Sequence, residues 1–146
     1  MLDLISKVED IPDGASVSES HTFNEESLAA FRDLSGDAAP IHWSDDFAIQ
    51  KSFQGRIVYG FLIVAPFSKM LGMHLPGPHT VIHSVSYKIH RPVYIGEKIT
   101  YSLKVSKKVL SVAIVVLELS AKNESGDLVL SGTAQCGFPK ESTREV

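Results

Sequence analysis

Phe61-Leu-Ile-Val-Ala-Pro66-Phe-Ser-Lys-Met70-Leu-Gly-Met-His74 is a strongly apolar stretch, and the turn Leu75-Pro76-Gly77-Pro78 closes it at once. It is too short to cross a bilayer, and Ser68, Lys69 and His74 interrupt it, so it reads as a buried helix. Pro66 removes the amide that would bond the carbonyl of Leu62, which predicts a kink there. From Thr80 onward the apolar period changes to two. Val81, His83, Val85, Tyr87 and Ile89 fall on one face, with Ser84, Ser86 and Lys88 on the other. Ile99, Tyr101, Leu103 and Val105 alternate in the same way, and Val112 to Leu119 is apolar on both faces, as expected of a central strand or one at a subunit contact. Leu128 to Phe138 completes the set after the turn Asn123-Glu-Ser-Gly126-Asp127. A helix followed by long strands predicts an α+β domain with one helix laid on an antiparallel sheet. Because one helix covers only part of such a sheet, dimerisation that continues the sheet is expected, and with it a homodimer.

Upstream of the central helix, Ala15 to His21 reads as a short strand. Thr22-Phe-Asn-Glu25 has the spacing of a capping box, with Leu28, Phe31 and Leu34 on one helical stripe ending at Gly36. Ser44 with Asp45 and Asp46 marks a second, short helix whose Phe47 faces inward. Between the two lies Ser35-Gly36-Asp37-Ala38-Ala39-Pro40-Ile41-His42. Gly36 permits positive φ, and Pro40 pushes Ala39 out of the α region, so this run is expected to be a bent, rigid, non-helical support. A carboxylate and an imidazole so placed are able to share one water, the acid accepting its proton while the imidazole positions it or passes a proton on. Turn chemistry alone also accounts for these residues: Asp37 as an Asx-turn or cap, His42 as a surface side chain.

The chain of 146 residues, 44% of them hydrophobic, suits a single domain over 1–146 with 139–146 as a frayed tail. A formal charge of −3 with scattered basic residues offers no cationic face for nucleic acid. The lone Cys136 excludes an internal disulfide framework, reads as a small buried hydrophobe, and fits a reducing, cytoplasmic setting. The N-terminus lacks the basic and apolar regions of a signal peptide, and no membrane span is expected. His79 and His83 would stand about 13 Å apart on an extended strand, too far to chelate one metal, and the other histidines are dispersed. Ala65-Pro-Phe-Ser68-Lys69 lacks a nucleophile elbow. No Gly-rich phosphate loop points to a nucleotide, and no metal, flavin or nicotinamide cofactor is expected.

Four stretches together resemble the MaoC-like, (R)-specific enoyl-CoA hydratase family of hot dog fold proteins. Phe31-Arg-Asp-Leu-Ser-Gly-Asp37-Ala-Ala-Pro-Ile-His42 is similar to the family's F-x-x-L-[ST]-G-D-x-N-P-[IVL]-H, and Arg56-Ile-Val-Tyr-Gly60-Phe-Leu to its [IV]-[VA]-H-G-x-L segment. Leu71-Gly-Met-His-Leu-Pro-Gly77 resembles L-G-x-x-L-P-G, and Arg91-Pro-Val-Tyr-Ile-Gly96-Glu97 with Ile99-Thr100 resembles R-P-V-x-x-G-D-x-[IL]-T. The resemblance implies a sheet wrapped around the central helix and reversible syn hydration of trans-2-enoyl thioesters, carried by coenzyme A or acyl carrier protein. It implies Asp37 and His42 as the acid/base pair, Gly60 as the amide that polarises the thioester carbonyl, and Ser68 as a support for the aspartate. Tyr59, Leu62, Ile63, Phe67 and Leu71 are the expected substrate contacts.

Two positions depart from the pattern. Ala39 replaces its Asn and Tyr59 its His, which keeps a non-catalytic acyl-binding module or partner subunit as an alternative. A thioesterase of the same fold usually carries its carboxylate on the central helix, where Phe61 to His74 has none.

Overall fold

The computed structural model describes residues 5–142. Five strands, β1 (Ser16–Thr22), β2 (Val81–Ile89), β3 (Lys98–Val109), β4 (Ile114–Lys122) and β5 (Leu128–Gly137), form one antiparallel sheet in the order β1-β3-β4-β5-β2. The helices α1 (Glu25–Ser35), α2 (Pro40–Trp43), α3 (Asp45–Gln50), α4 (Gly60–Val64) and α5 (Pro66–Met73) all precede β2. This is the α+β arrangement that the change of period predicts. Of the expected tail, 139–142 carry no regular structure and the remainder lies outside the described residues.

The central helix is kinked as Pro66 requires. Ala65 keeps helical dihedrals between α4 and α5, and the Leu62 carbonyl, deprived of an amide at Pro66, accepts the Ala65 N–H at 3.1 Å instead. Ile63, Phe67, Met70 and Leu71 are buried against the inner face of the sheet, where Ile99, Tyr101 and Leu103 of β3 meet Leu117 and Leu119 of β4. Full burial of these side chains, at roughly 1.5–3 kcal/mol each, is what seats the helix. The Tyr101 hydroxyl, in the middle of this core, donates to the Ile63 carbonyl at 2.7 Å, so the buried phenol is satisfied. Desolvation raises its pKa.

Four expectations are corrected. The α1 cap is Asn24, whose Oδ1 accepts the Ser27 N–H at 2.9 Å, rather than Thr22, which ends β1. Pro40 begins a helical turn, so His42 rides on α2 instead of on irregular backbone; Pro is well suited to a first helical position. In α3 it is Ala48 that is fully buried, with Phe47 only half-buried under Lys51. β4 is central, but only its inner face is fully buried; Glu118 and Lys122 are exposed on the other, and Val112 belongs to a 3-10 turn.

β2 shows why period alone misleads. The register skips one residue between Ile82 and Ser84, a bulge at His83, so Ile82, Val85, Tyr87 and Ile89 oppose the inward residues of β5. Val81, expected on that face, lies across from Gly137 instead. Ile82 and Val85 remain exposed because β2 is the edge of the sheet.

Candidate active site

Gly36 closes α1 in the left-handed region (φ 76°), and its N–H bonds the Arg32 carbonyl at 2.8 Å. A side chain with a Cβ is disfavoured there, so the glycine turns the chain sharply into Asp37. Asp37 is exposed, and its Oδ1 accepts the Ala39 N–H at 2.9 Å while its own N–H is held by Ser35 Oγ at 3.1 Å. Asp37 thus makes the Asx-turn with one carboxylate oxygen, and Oδ2 takes no hydrogen bond among the described residues.

His42 is half-buried, and its Nδ1 lies 2.7 Å from the Ile57 carbonyl. A carbonyl only accepts, so Nδ1 carries the proton and Nε2 of the neutral ring holds the lone pair. The imidazole is thus fixed in the tautomer that lets Nε2 accept a hydrogen bond from a bound water. Ile57 is a site residue that the sequence did not reveal, because a backbone carbonyl leaves no signature in residue type.

Tyr59 sits behind both groups. It is 2% exposed, its ring stacks on His42 with centroids 4.0 Å apart, and it packs on Phe31 at 4.7 Å. Its hydroxyl donates to the Asp37 backbone carbonyl and accepts from Trp43 Nε1 at 2.6 Å. Trp43 is therefore part of this cluster, which its position next to His42 in the sequence could have signalled. Above the indole lie the guanidiniums of Arg32, at 4.9 Å from the ring centroid, and Arg56, at 5.6 Å. Arg56 is ion-paired with Glu25, which raises its pKa, and its N–H bonds Asp45 Oδ1 at 2.9 Å.

Gly60 follows as the first residue of α4, where an N–H has no partner within its own helix. A Cβ added at Gly60 would lie 3.1 Å from Cδ1 of Ile89, so the position is close to β2 as well. Ser68 is exposed on α5 and makes no side-chain hydrogen bond among the described residues; the aspartate takes its local bonds from Ala39 and Ser35. Leu62 is the one expected acyl contact that borders an open groove. That groove, of about 570 Å³, runs between α1, β1 and the central helix beside Phe23, Phe31, Leu34 and Pro66. Ile63, Phe67 and Leu71 lie in the core against which Leu62 packs. Leu34, expected on the inward stripe of α1, is 86% exposed at the groove's rim.

Among the described residues no three or more His, Cys, Asp or Glu side chains gather as a metal site, and no helix is long and apolar enough to cross a membrane.

The family model described as "MaoC like domain" matches residues 8–125. The chain is 33% identical over 131 residues to the (R)-specific enoyl-CoA hydratase of Rhodospirillum rubrum, with 90% of each chain covered. Among solved structures it is similar to the (R)-hydratase from A. caviae involved in PHA biosynthesis (TM-score 0.83, 29% identity, 88% of this chain and 98% of that one). It is also similar to unliganded R-hydratase PhaJ1 from Pseudomonas aeruginosa (TM-score 0.84, 26% identity, 97% of this chain and 93% of that one).

Proposed function

The chain belongs to the MaoC-like family, and from that premise we propose that it is a hydratase/dehydratase interconverting trans-2-enoyl and (R)-3-hydroxyacyl thioesters through Asp37 and His42. The observation that carries the assignment of roles is the pair's local chemistry: a carboxylate with one oxygen uncommitted, five residues before an imidazole whose Nε2 is left free by the Ile57 carbonyl.

In the hydration direction, water attacks C3 of the enoyl thioester while negative charge grows on the thioester oxygen. The Gly60 N–H, at a helix start, meets that charge as it forms, and the missing side chain lets the substrate approach the amide. Asp37 Oδ2 and His42 Nε2 hold the water between them. Asp37 Oδ2 takes one proton of the water and passes that same proton to C2, on the same face of the substrate, while His42 Nε2 accepts the other O–H and fixes the water, so both groups end as they began. In the reverse direction the same groups remove the C2 proton and protonate the departing hydroxyl. An oxyanion donor contributes about 10²- to 10³-fold and a positioned acid or base about 10²- to 10⁴-fold. The acyl tail lies along the central helix at Leu62, with Ile63, Phe67 and Leu71 as the firm wall behind it.

Two copies pair through the β2 edge, which joins their sheets. The exposed Ile82 and Val85 on that strand, together with Phe61, 73% exposed beside Gly60, favour this mode. The lone buried thiol is consistent with a cytoplasmic setting.

The test is incubation of the purified chain with crotonyl-coenzyme A and crotonyl-acyl carrier protein. Loss of enoyl absorbance without free thiol supports the hydratase. Thiol release with the enoyl group intact would make it a thioesterase, and no turnover on either carrier across chain lengths would favour the non-catalytic alternative that Ala39 and Tyr59 motivate.

A further inference from the structure

On the reading of the chain as a thioester hydratase, we infer that Tyr59 is a positioning residue that holds the Asp37 loop and the His42 ring in mutual register, with Trp43 aiming its hydroxyl.

Among the described residues, the hydrogen bonds of residues 35–39 are local with one exception. Ser35 Oγ donates to the Phe31 carbonyl, Gly36 N–H bonds Arg32, Asp37 N–H bonds Ser35, Ala39 N–H bonds Asp37, and the Ala39 carbonyl takes the His42 N–H. The exception is the Tyr59 hydroxyl on the Asp37 carbonyl, which ties this exposed loop to the residue that caps the start of the central helix. Where the family pattern has an Asn to brace the loop, this chain has Ala39, so no side chain at that position makes such a bond. The phenol reaches the same loop through the Asp37 carbonyl.

The direction of the bond is determined. An indole N–H only donates, so the Trp43 contact at 2.6 Å occupies a lone pair of the Tyr59 oxygen and leaves its proton for the Asp37 carbonyl. The same ring stacks on the imidazole, with centroids 4.0 Å apart and planes inclined by 30°, and Tyr59 directly precedes Gly60. A residue 2% exposed thus touches the acid-bearing loop and the histidine, and is bonded through the chain to the polarising amide. Its role is geometric: it exchanges no proton with the substrate.

Tyr59→Phe keeps the ring and its stacking and removes only the hydroxyl. A loop carboxylate displaced by an ångström loses about 10- to 100-fold in kcat, with KM nearly unchanged, since the acyl contacts stay in place. Trp43→Phe, which frees the hydroxyl without deleting it, has a smaller effect, and the double variant is no slower than Tyr59→Phe because Trp43 acts through Tyr59. Amide exchange of Gly36, Asp37 and Ala39, measured by NMR without substrate, speeds up in Tyr59→Phe while the β3 and β4 amides do not change. Full kcat in Tyr59→Phe, a double variant in which the two losses multiply, or unaltered loop exchange would each overturn the inference. If the unsubstituted chain hydrates nothing, the hydratase reading fails by itself, and the exchange measurement still decides whether Tyr59 holds the loop.

Discussion

Replacing Asp37 by Asn separates the two jobs of this side chain. The amide retains an oxygen in place of Oδ1, which accepts the Ala39 N–H at 2.9 Å, so the loop keeps its turn. What is lost is the ability to take a proton from water. A positioned base of this kind contributes about 10²- to 10⁴-fold, so kcat/KM falls by that factor. At 1.36 kcal/mol per decade this is about 2.7–5.4 kcal/mol of transition-state stabilisation. Asp37→Ala removes the turn bond too, worth about 0.5–1.5 kcal/mol in stability. In a chain of this size that lowers Tm by about 2–4 °C per kcal/mol. The pair therefore gives a double readout: both variants lose activity, and only the alanine variant loses measurable stability. Crotonyl thioester hydration followed by enoyl absorbance gives the rates, and thermal melts followed by circular dichroism give the stabilities. An Asp37→Asn enzyme as fast as the unsubstituted chain would refute the assignment of the base, and equal melting of both variants would refute the Asx-turn bond.

Three further outcomes are expected. Val85→Asp, which places a charge on the exposed apolar side of β2, converts a dimer into a monomer in sedimentation velocity; a chain that is monomeric before substitution contradicts the sheet-continuing pair. Gly132→Ala puts a Cβ 2.3 Å from the Ser86 carbonyl oxygen and 2.9 Å from the Tyr87 Cα, both backbone atoms of the paired strand. β2 must shift, so overpacking costs about 1–3 kcal/mol and Tm drops, which a thermal melt reads directly. Cys136 is buried, and desolvation raises its pKa from the ordinary 9.0 to about 11. Because the folded value is the higher one, its contribution to stability is complete below 9.0 and is lost as the pH climbs toward about 11. Iodoacetamide at pH 8 then labels the denatured chain far faster than the native one.

The sequence disclosed the fold through periods and breakers. Pro66, Gly36 and Ser44 each act where their chemistry predicts, and the alternation of Ile99, Tyr101, Leu103 and Val105 is the buried face of β3. It failed where a single residue changes parity or where two caps compete. The bulge at His83 exchanged Val81 for Ile82 on the inward face, and Asn24 won the α1 cap over Thr22 because β1 runs through Thr22. At the candidate site, Asp37 and His42 stand out in the sequence by residue type, and Gly60 only through the family resemblance. The Ile57 carbonyl and the Trp43–Tyr59 bond do not stand out, since both arise from packing between segments far apart in the chain.

The central claim is that one loop pair works on a single face of the enoyl group. Hydration of crotonyl-coenzyme A in deuterium oxide by the purified chain tests it most directly, with the product analysed by chiral chromatography and NMR. The account predicts the (R)-3-hydroxy product with one deuteron at C2 on the same face as the new hydroxyl; an (S) product, or a deuteron on the opposite face, would contradict it.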